Sequence, residues 1–258
     1  MRSLSSPPAI DVDRVHVDSI LGLREEYRRE MACQIVHDSW HSRGFTTSYL
    51  LRVNGDVAGY ASVGGAPCNP KDTVKEFFVL PAARGFSLPL FRKLLAVSEA
   101  RTIEAQTNDV QLALMLYECA VEWQSETILF ADAVTTCVPA PDGVILRSVT
   151  ALDRPSVFPH TVEPVGDWGL EHDGQVAATG GILFHYNPPY GDIYMEVAAP
   201  HRGRGFGSYL VQELKRICRE TGHIPAARCH QDNRASRRAL ERAGMFPCAR
   251  ILHGRIPA

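Results

Sequence analysis

Read for the spacing of its apolar positions, the chain opens with a polar, strongly charged helix over roughly 17–36, running through Arg24-Glu-Glu-Tyr-Arg-Arg-Glu30. Two short apolar runs follow, Ser48–Val53 and Val57–Val63, separated by Asn54-Gly55. Asn-Gly between such runs predicts a hairpin, because a type I′ turn needs positive φ at both central residues. Glu76–Leu80 reads as a further strand. A helix over about 88–99, a strand near 101–107, a helix near 109–122 and a strand near 127–135 come next.

Pro139-Ala-Pro-Asp-Gly143 then punctuates the chain as a linker, and the order of elements begins again. Val144–Val149 predicts a strand, and Gly169–Glu171 with Gln175–Leu183 a hairpin around His172-Asp-Gly174. Asp192–Val197 predicts another strand. Gly205–Thr221 predicts a helix, with Phe206, Leu210, Leu214, Ile217 and Cys218 on one face. Ile224–Cys229 reads as a strand, Arg234–Ala243 as a helix, and the tail as one or two strands. Both halves thus repeat hairpin, strand, helix, strand, helix, strand. Val79-Leu-Pro-Ala-Ala-Arg84-Gly85 aligns with Val197-Ala-Ala-Pro-His-Arg202-Gly203, so an internal duplication of an α/β unit is expected, divided into residues 1–142 and 143–258.

The 258 residues leave room for two modest domains. A net charge of -2 lacks the basic excess that would neutralise a phosphate backbone, so nucleic acid is not the expected partner. No apolar run is long enough to cross a bilayer and the start lacks a secretory apolar segment, so no membrane association is expected. Seven dispersed cysteines without a Cys-x-x-Cys pair fit free thiols in the reducing cytoplasm.

The candidate chemistry lies in His201-Arg-Gly-Arg-Gly-Phe-Gly-Ser208, between a predicted strand and an amphipathic helix. Its three glycines let the backbone approach a ligand closely. The first turn of the helix leaves N–H groups unpaired at the positive end of its dipole, which suits a pyrophosphate. A dinucleotide fingerprint fails, since counting from Gly203 its last glycine falls on Ser208 and only 50 residues remain beyond it. No Gly-Lys-Ser/Thr is present for a P-loop. The competing reading is a tight turn that binds nothing.

Arg202, Gly205 and Gly207, preceded by Val197, resemble the acyl-CoA signature of the GNAT acyltransferase superfamily, Arg/Gln-x-x-Gly-x-Gly/Ala at a strand-to-helix junction. A second element, Asn233-x-x-Ser236-x-x-x-Leu240-x-x-x-Gly244-Met245-Phe246, is similar to the family's Asn-helix-Gly-Phe motif. The resemblance covers about 166–256. It implies two tandem GNAT-like mixed-sheet domains, the first degenerate. It also implies transfer of an acetyl group from acetyl-CoA to a primary amine of a small molecule or peptide. The backbone of Val197 would hold the pantetheine arm and polarise the thioester carbonyl, an oxyanion-hole role. Amides from Gly203, Arg204, Gly205, Phe206, Gly207 and Ser208 would hold the pyrophosphate, and Asn233 and Ser236 would meet the pantetheine or thiol end. Arg204 and Arg238 are candidates for the 3′-phosphate.

An ammonium must lose a proton before it attacks, and the thiolate must regain one. The positions where the family often places polar residues, four and six before Val197, hold Ile193 and Gly191; the usual tyrosine position holds Leu240. Glu196, Tyr194 and His230 remain as candidates, though strand alternation turns Glu196 away from the Val197 face. Because the usual catalytic positions are apolar or glycine, a non-catalytic acyl-CoA sensor is the alternative reading.

Between Val149 and Gly166 the family inserts two helices that wall the acceptor pocket. Pro155, Pro159 and Pro164 make this stretch poor helix material, so the second domain is expected to lack them. The wall is then expected from the first half or from the other subunit of a homodimer, with the His185-Tyr186 loop adding aromatic contacts. In the first half, Ser87 and Pro89 replace Gly205 and Gly207, and proline removes an N–H donor, so no CoA is expected there. Glu76, Glu104 and Gln106 would serve the acceptor or nothing. His37 and His41 have no evident third ligand, so a surface pair is expected and no metal site.

Overall fold

A computed structural model describes residues 7–35 and 37–257, apart from the side chains of residues 185–187, where the expected contacts of His185 and Tyr186 fall. The chain forms two compact units. The first comprises the residues before Glu126 together with those from Arg250 onward, and the second Glu126–Ala249.

In the first unit β1 (Ile10–Val15), β2 (Thr46–Val53), β3 (Asp56–Gly64) and β4 (Thr73–Val79) form an antiparallel run. β4 then meets β5 (Thr102–Gln106) in parallel, with only Thr73 opposite Thr102 and Val74 opposite Ile103. Residues 251–255 of β12 (Met245–Arg255) flank the other edge of β5. Alternation along β4 sends Phe78 toward α1 (Leu21–Met31), where it packs with Tyr27 and Tyr60. Phe77 and Val79 face α3 (Ser87–Ser98) and α4 (Val110–Cys119), and the ring of Phe77 meets Phe91 edge-on at 4.9 Å. A short α2 (Asp38–Ser42) precedes β2.

The second unit starts with the latter part of β6 (Glu122–Asp132), antiparallel to β11 (Ile224–His230). Beyond β11 come β10 (Tyr190–Val197), β9 (Gln175–Asn187), β8 (Trp168–His172) and β7 (Val144–Ser148). The β10–β11 pair is parallel, joined over Tyr190–Ile193 and Ile224–Ala227. α5 (Phe206–Glu220) buries Phe206, Leu210 and Leu214 against Leu170 and Ile193. α6 (Arg234–Arg242) buries Leu240 beside Val211, Ala227 and Cys229. Between β7 and β8 there is one short 3₁₀ turn, Arg154–Ser156, so this unit lacks the first two helices, as the prolines imply. The architecture is α/β, with two tandem GNAT-like mixed-sheet units.

The sequence repeat divides at 142/143, whereas the compact units exchange their last strands: residues 126–132 pair within the second unit and residues 251–255 within the first. Strand β1 carries no expectation from the sequence, because Asp11, Asp13 and Arg14 obscure its alternation and only Val12 is buried. No helix among the described residues is long and apolar enough to cross a membrane.

Candidate functional site

Past Ile193 and Ala227, β10 and β11 have no further paired residues in their ladder, and a crevice lies at the end of β10 beside the first turns of α5 and α6. Ala198 N donates to Ala177 O at 2.9 Å, which makes Val197 and Ala178 a non-hydrogen-bonded pair in the β9–β10 ladder. The Val197 N–H and C=O therefore point away from β9, toward the crevice. Arg202 donates from Nε to Val197 O at 3.0 Å and folds the chain back after the strand.

That fold-back leads into the glycine turn. Gly203 and Gly205 have φ of +76° and +89°, a region an L side chain disfavours, and Gly205 is the residue on which α5 begins. The first helical N–H bond runs from Tyr209 to Gly205 O, so the amides of Phe206, Gly207 and Ser208 precede the intrahelical ladder. They stand at the positive end of a 15-residue helix. The crevice measures about 560 Å³, the size of a small-molecule site.

Val197, Arg202, Gly203, Gly205, Phe206, Gly207, Ser208, Asn233, Ser236 and Arg238 all line it. Ala235 and Arg242 from α6 line it too. The Asn233 side-chain oxygen caps α6, accepting from Ser236 N at 3.0 Å, so that atom is committed to the helix. Arg204 is not among the lining residues; its guanidinium lies over the Phe206 ring at 5.5 Å and beside His201.

The three catalytic candidates divide. Glu196 lines the crevice, but its carboxylate accepts from the backbone N–H groups of Thr161, Val162 and Glu163 and from Thr161 Oγ1, at 3.0–3.3 Å. Burial raises its pKa, yet these donors prevail and hold it at about 2. A carboxylate so satisfied is a poor proton acceptor, which weighs against Glu196 among the three candidates. His230 is half-exposed at the end of β11, 3.8 Å from Glu126 and 3.7 Å from Asp232, and does not line the crevice. Tyr194 also lies outside the lining, its hydroxyl end close over Gly181; burial and then Asp167 and Glu163 raise its pKa.

What the sequence reading missed is the segment facing this strand. Thr161, Val162 and Glu163 line the crevice. Next to them the His160 imidazole contacts Thr179 Oγ1 at 3.1 Å, the Glu163 carbonyl at 2.9 Å and the Phe158 ring, stacked at 4.6 Å. Deeper in, Asp192 lies 3.3 Å from Arg228, and burial pushes its carboxyl up to about 6.

The equivalent place in the first unit is closed. Leu80 N donates to Ala58 O, which turns the Val79 N–H and C=O outward just as at Val197, and Arg84 Nε reaches Val79 O at 3.3 Å. Here the Gln111 side-chain amide fills the gap, accepting from Val79 N at 2.8 Å and donating to Val79 O at 3.2 Å. Gln111 is the second residue of α4, capped by Asp109; the matching residue of α6, capped by Asn233, is Ala235.

The residues expected to face an acceptor there are also committed. Glu76 is fully buried in a two-bond pair with Arg24 and a 3.1 Å contact with His41 Nε2. Glu104 pairs with Lys75, and Gln106 bonds both backbone groups of Ile35. His37 and His41 are therefore not a surface pair: His37 is buried, 3.7 Å from Glu104, and the His41 side chain is covered where it meets Glu76. The i, i+4 spacing gave no indication of which face would be covered.

Residues 146–245 match the family model described as Acetyltransferase (GNAT) family. No curated protein matches the chain in sequence. Among solved structures, an acetyltransferase from the GNAT family from Colwellia psychrerythraea superposes with a TM-score of 0.77 at 13% identity, covering 96% of this chain and 100% of that one. A GCN5-related N-acetyltransferase from Sphaerobacter thermophilus gives 0.60 at 18% identity, covering 98% of each chain. A tandem GNAT protein from the clavulanic acid biosynthesis pathway gives 0.60 at 15% identity, covering 97% of this chain and 99% of that one. The split parallel strands, the glycine turn and the family match agree: residues 146–245 are similar to the GNAT acetyltransferase family, in a chain with the fold of tandem GNAT proteins.

Proposed function

We propose that the second unit is an N-acetyltransferase that takes acetyl-CoA as cosubstrate and moves its acetyl group to a primary amine of a small molecule or peptide. The observation that carries this reading is the join of two features in one crevice: the outward backbone of Val197 and the glycine-rich start of α5. A pyrophosphate on the amides of Gly203–Ser208 would send the pantetheine arm between the ends of β10 and β11. The Val197 N–H then faces the thioester oxygen, where negative charge grows as the amine attacks. Ser236 and the backbone around Asn233 would border the arm, and Arg238 the 3′-phosphate. The Gln111 amide on Val79 and Pro89 in the matching turn support a single acetyl-CoA per chain. The dispersed cysteines, without a Cys-x-x-Cys spacing, support a cytoplasmic location.

One observation favours a second reading, an acyl-CoA sensor without turnover. Ile193 and Leu240, at two of the family's usual catalytic positions, are buried in the core, and the third position is Gly191. Calorimetry with acetyl-CoA, followed by thiol release across a library of primary amines, separates the two. Binding with amine-dependent thiol release supports the transferase; tight binding without release supports the sensor.

A further inference from the structure

The segment that replaces the missing helices is pinned to the crevice by one carboxylate. Glu196, next in sequence to Val197, accepts the successive N–H groups of Thr161, Val162 and Glu163. It thereby fixes the backbone of Glu163 where this residue lines the same crevice as Val197. We propose that Glu163 is the proton acceptor of the transfer and that Glu196 is its positioning residue, an inference that rests on the transferase reading and adds a cationic alkylamine as the acceptor class.

The two carboxylates differ in what surrounds them. Glu196 has four donors and is held in its charged form. Glu163 is half-buried, and burial pushes its carboxyl up; the Glu196 charge adds to the rise, while Arg228 and His160 oppose it. From β10, Asp192 and Tyr194 also feel its charge, and Asp192 is itself engaged with Arg228. A carboxylate displaced upward binds a proton more readily than an ordinary glutamate, which is what a proton acceptor for an ammonium requires. It also offers the bound alkylammonium a counter-charge on the side of the crevice that the prolines keep free of helices.

R–NH3+ gives one proton to the Glu163 carboxylate, directly or through water. The freed nitrogen lone pair forms the N–C bond to the thioester carbonyl. The C–S bond breaks, its electron pair goes to sulfur, and the thiolate takes up a proton lost by the nitrogen. The products are R–NH–CO–CH3, CoA–SH and one proton released from Glu163 to solvent.

The test is kcat/KM against pH for the full chain, with acetyl-CoA and a panel of simple alkylamines (n-butylamine, lysine methyl ester) as acceptor probes. Acetyl-CoA binding is measured on the same samples by calorimetry. The wild-type profile should show an acid limb above the ordinary glutamate value of about 4.3 and then a plateau. Glu163→Gln should bind acetyl-CoA as the wild type does and lose about 100-fold in kcat/KM near neutral pH. Its profile should climb steadily with pH, because only free amine then reacts. Glu163→Asp should recover part of the rate and the acid limb. Glu196→Gln should lower the rate and move the acid limb to lower pH, since the neighbouring negative charge is gone; a merely structural role would leave that limb in place.

A Glu163→Gln enzyme with the wild-type plateau overturns the proposal and leaves the transferase reading intact. Wild type that binds no acetyl-CoA overturns the transferase reading itself. Wild type that binds it but acetylates none of the alkylamines overturns the Glu163 assignment in favour of the sensor.

Discussion

The Gln111 side chain and the Val79 backbone form a closed pair, amide to amide, with the Gln111 oxygen 2.8 Å from Val79 N and its nitrogen 3.2 Å from Val79 O. This is the hydrogen-bond pattern that a ligand's own amide would make with an outward-facing strand residue. In the second unit Ala235 stands at the matching helix position and leaves the backbone of Val197 facing a crevice. One side chain thus distinguishes a sealed copy from an open one.

Replacing Gln111 with Ala should strip Val79 N of its partner and leave Val79 O with the longer bond from Arg84 Nε. The cost expected is about 1–3 kcal/mol, read as a lower urea midpoint with an unchanged slope. Acetyl-CoA affinity, measured in parallel, should stay at the wild-type value.

Gly207 is the second residue of α5, and a Cβ there would meet the flexible end of Met195 at 3.3 Å and Ala239 Cβ at an ordinary 3.5 Å. Gly207→Asp should therefore fold. Its negative charge suits the helix N-terminus by about 0.3–1 kcal/mol. The same charge opposes a pyrophosphate, so acetyl-CoA affinity should fall by more than about tenfold, or 1.4 kcal/mol, without loss of thermal stability.

Arg238 lines the crevice whereas Arg204 lies over Phe206. Arg238→Ala should weaken CoA about tenfold more than 3′-dephospho-CoA, the worth of a charge-assisted hydrogen bond. Equal losses for the two ligands would remove the 3′-phosphate from Arg238. Arg204→Ala should discriminate less.

Glu76 gives the first unit a pH-dependent stability. Burial alone would raise its carboxyl pKa, but the Arg24 guanidinium and His41 hold it well below the usual carboxylate range. Its folded value thus lies below its unfolded one, so the stabilisation is present above the unfolded pKa of about 4.5 and is lost as pH falls below it. Breaking the pair with Glu76→Gln should cost about 3–5 kcal/mol at neutral pH, because Arg24 stays buried. The difference between wild type and variant, by urea unfolding from pH 7 down to pH 3, should shrink toward acid. Asp109, whose carboxyl burial pushes up to about 6, titrates in both proteins, so the difference retains only the part of its shift that comes from the Glu76 charge.

Which of these features a sequence discloses depends on how local their cause is. The turn at Arg202–Ser208 was legible because helix start, glycine φ and anion chemistry all lie within seven residues. The duplication was legible because Val79–Gly85 and Val197–Gly203 keep one spacing. Gln111 was not, since its target lies 32 residues away across the gap between two strands. Glu196 stands beside Val197 in sequence and is one of three candidates for that reason; alternation gives its face but not the three N–H groups it meets there. Glu163 was passed over for the same reason: only the folded loop brings it to Val197. The exchange of β6 and β12 between the units was equally hidden, because strand pairing is decided by non-local register.

On the proposed function, backbone amides at the start of α5, together with Val197, form the acetyl-CoA site of this chain. A crystal structure of the protein grown with acetyl-CoA tests it most directly. The account predicts one cofactor per chain, its pyrophosphate on the N–H groups of Gly203–Ser208 and its thioester beside Val197. An empty crevice in the second unit, or a cofactor seated at Val79 with Gln111 displaced, would contradict it.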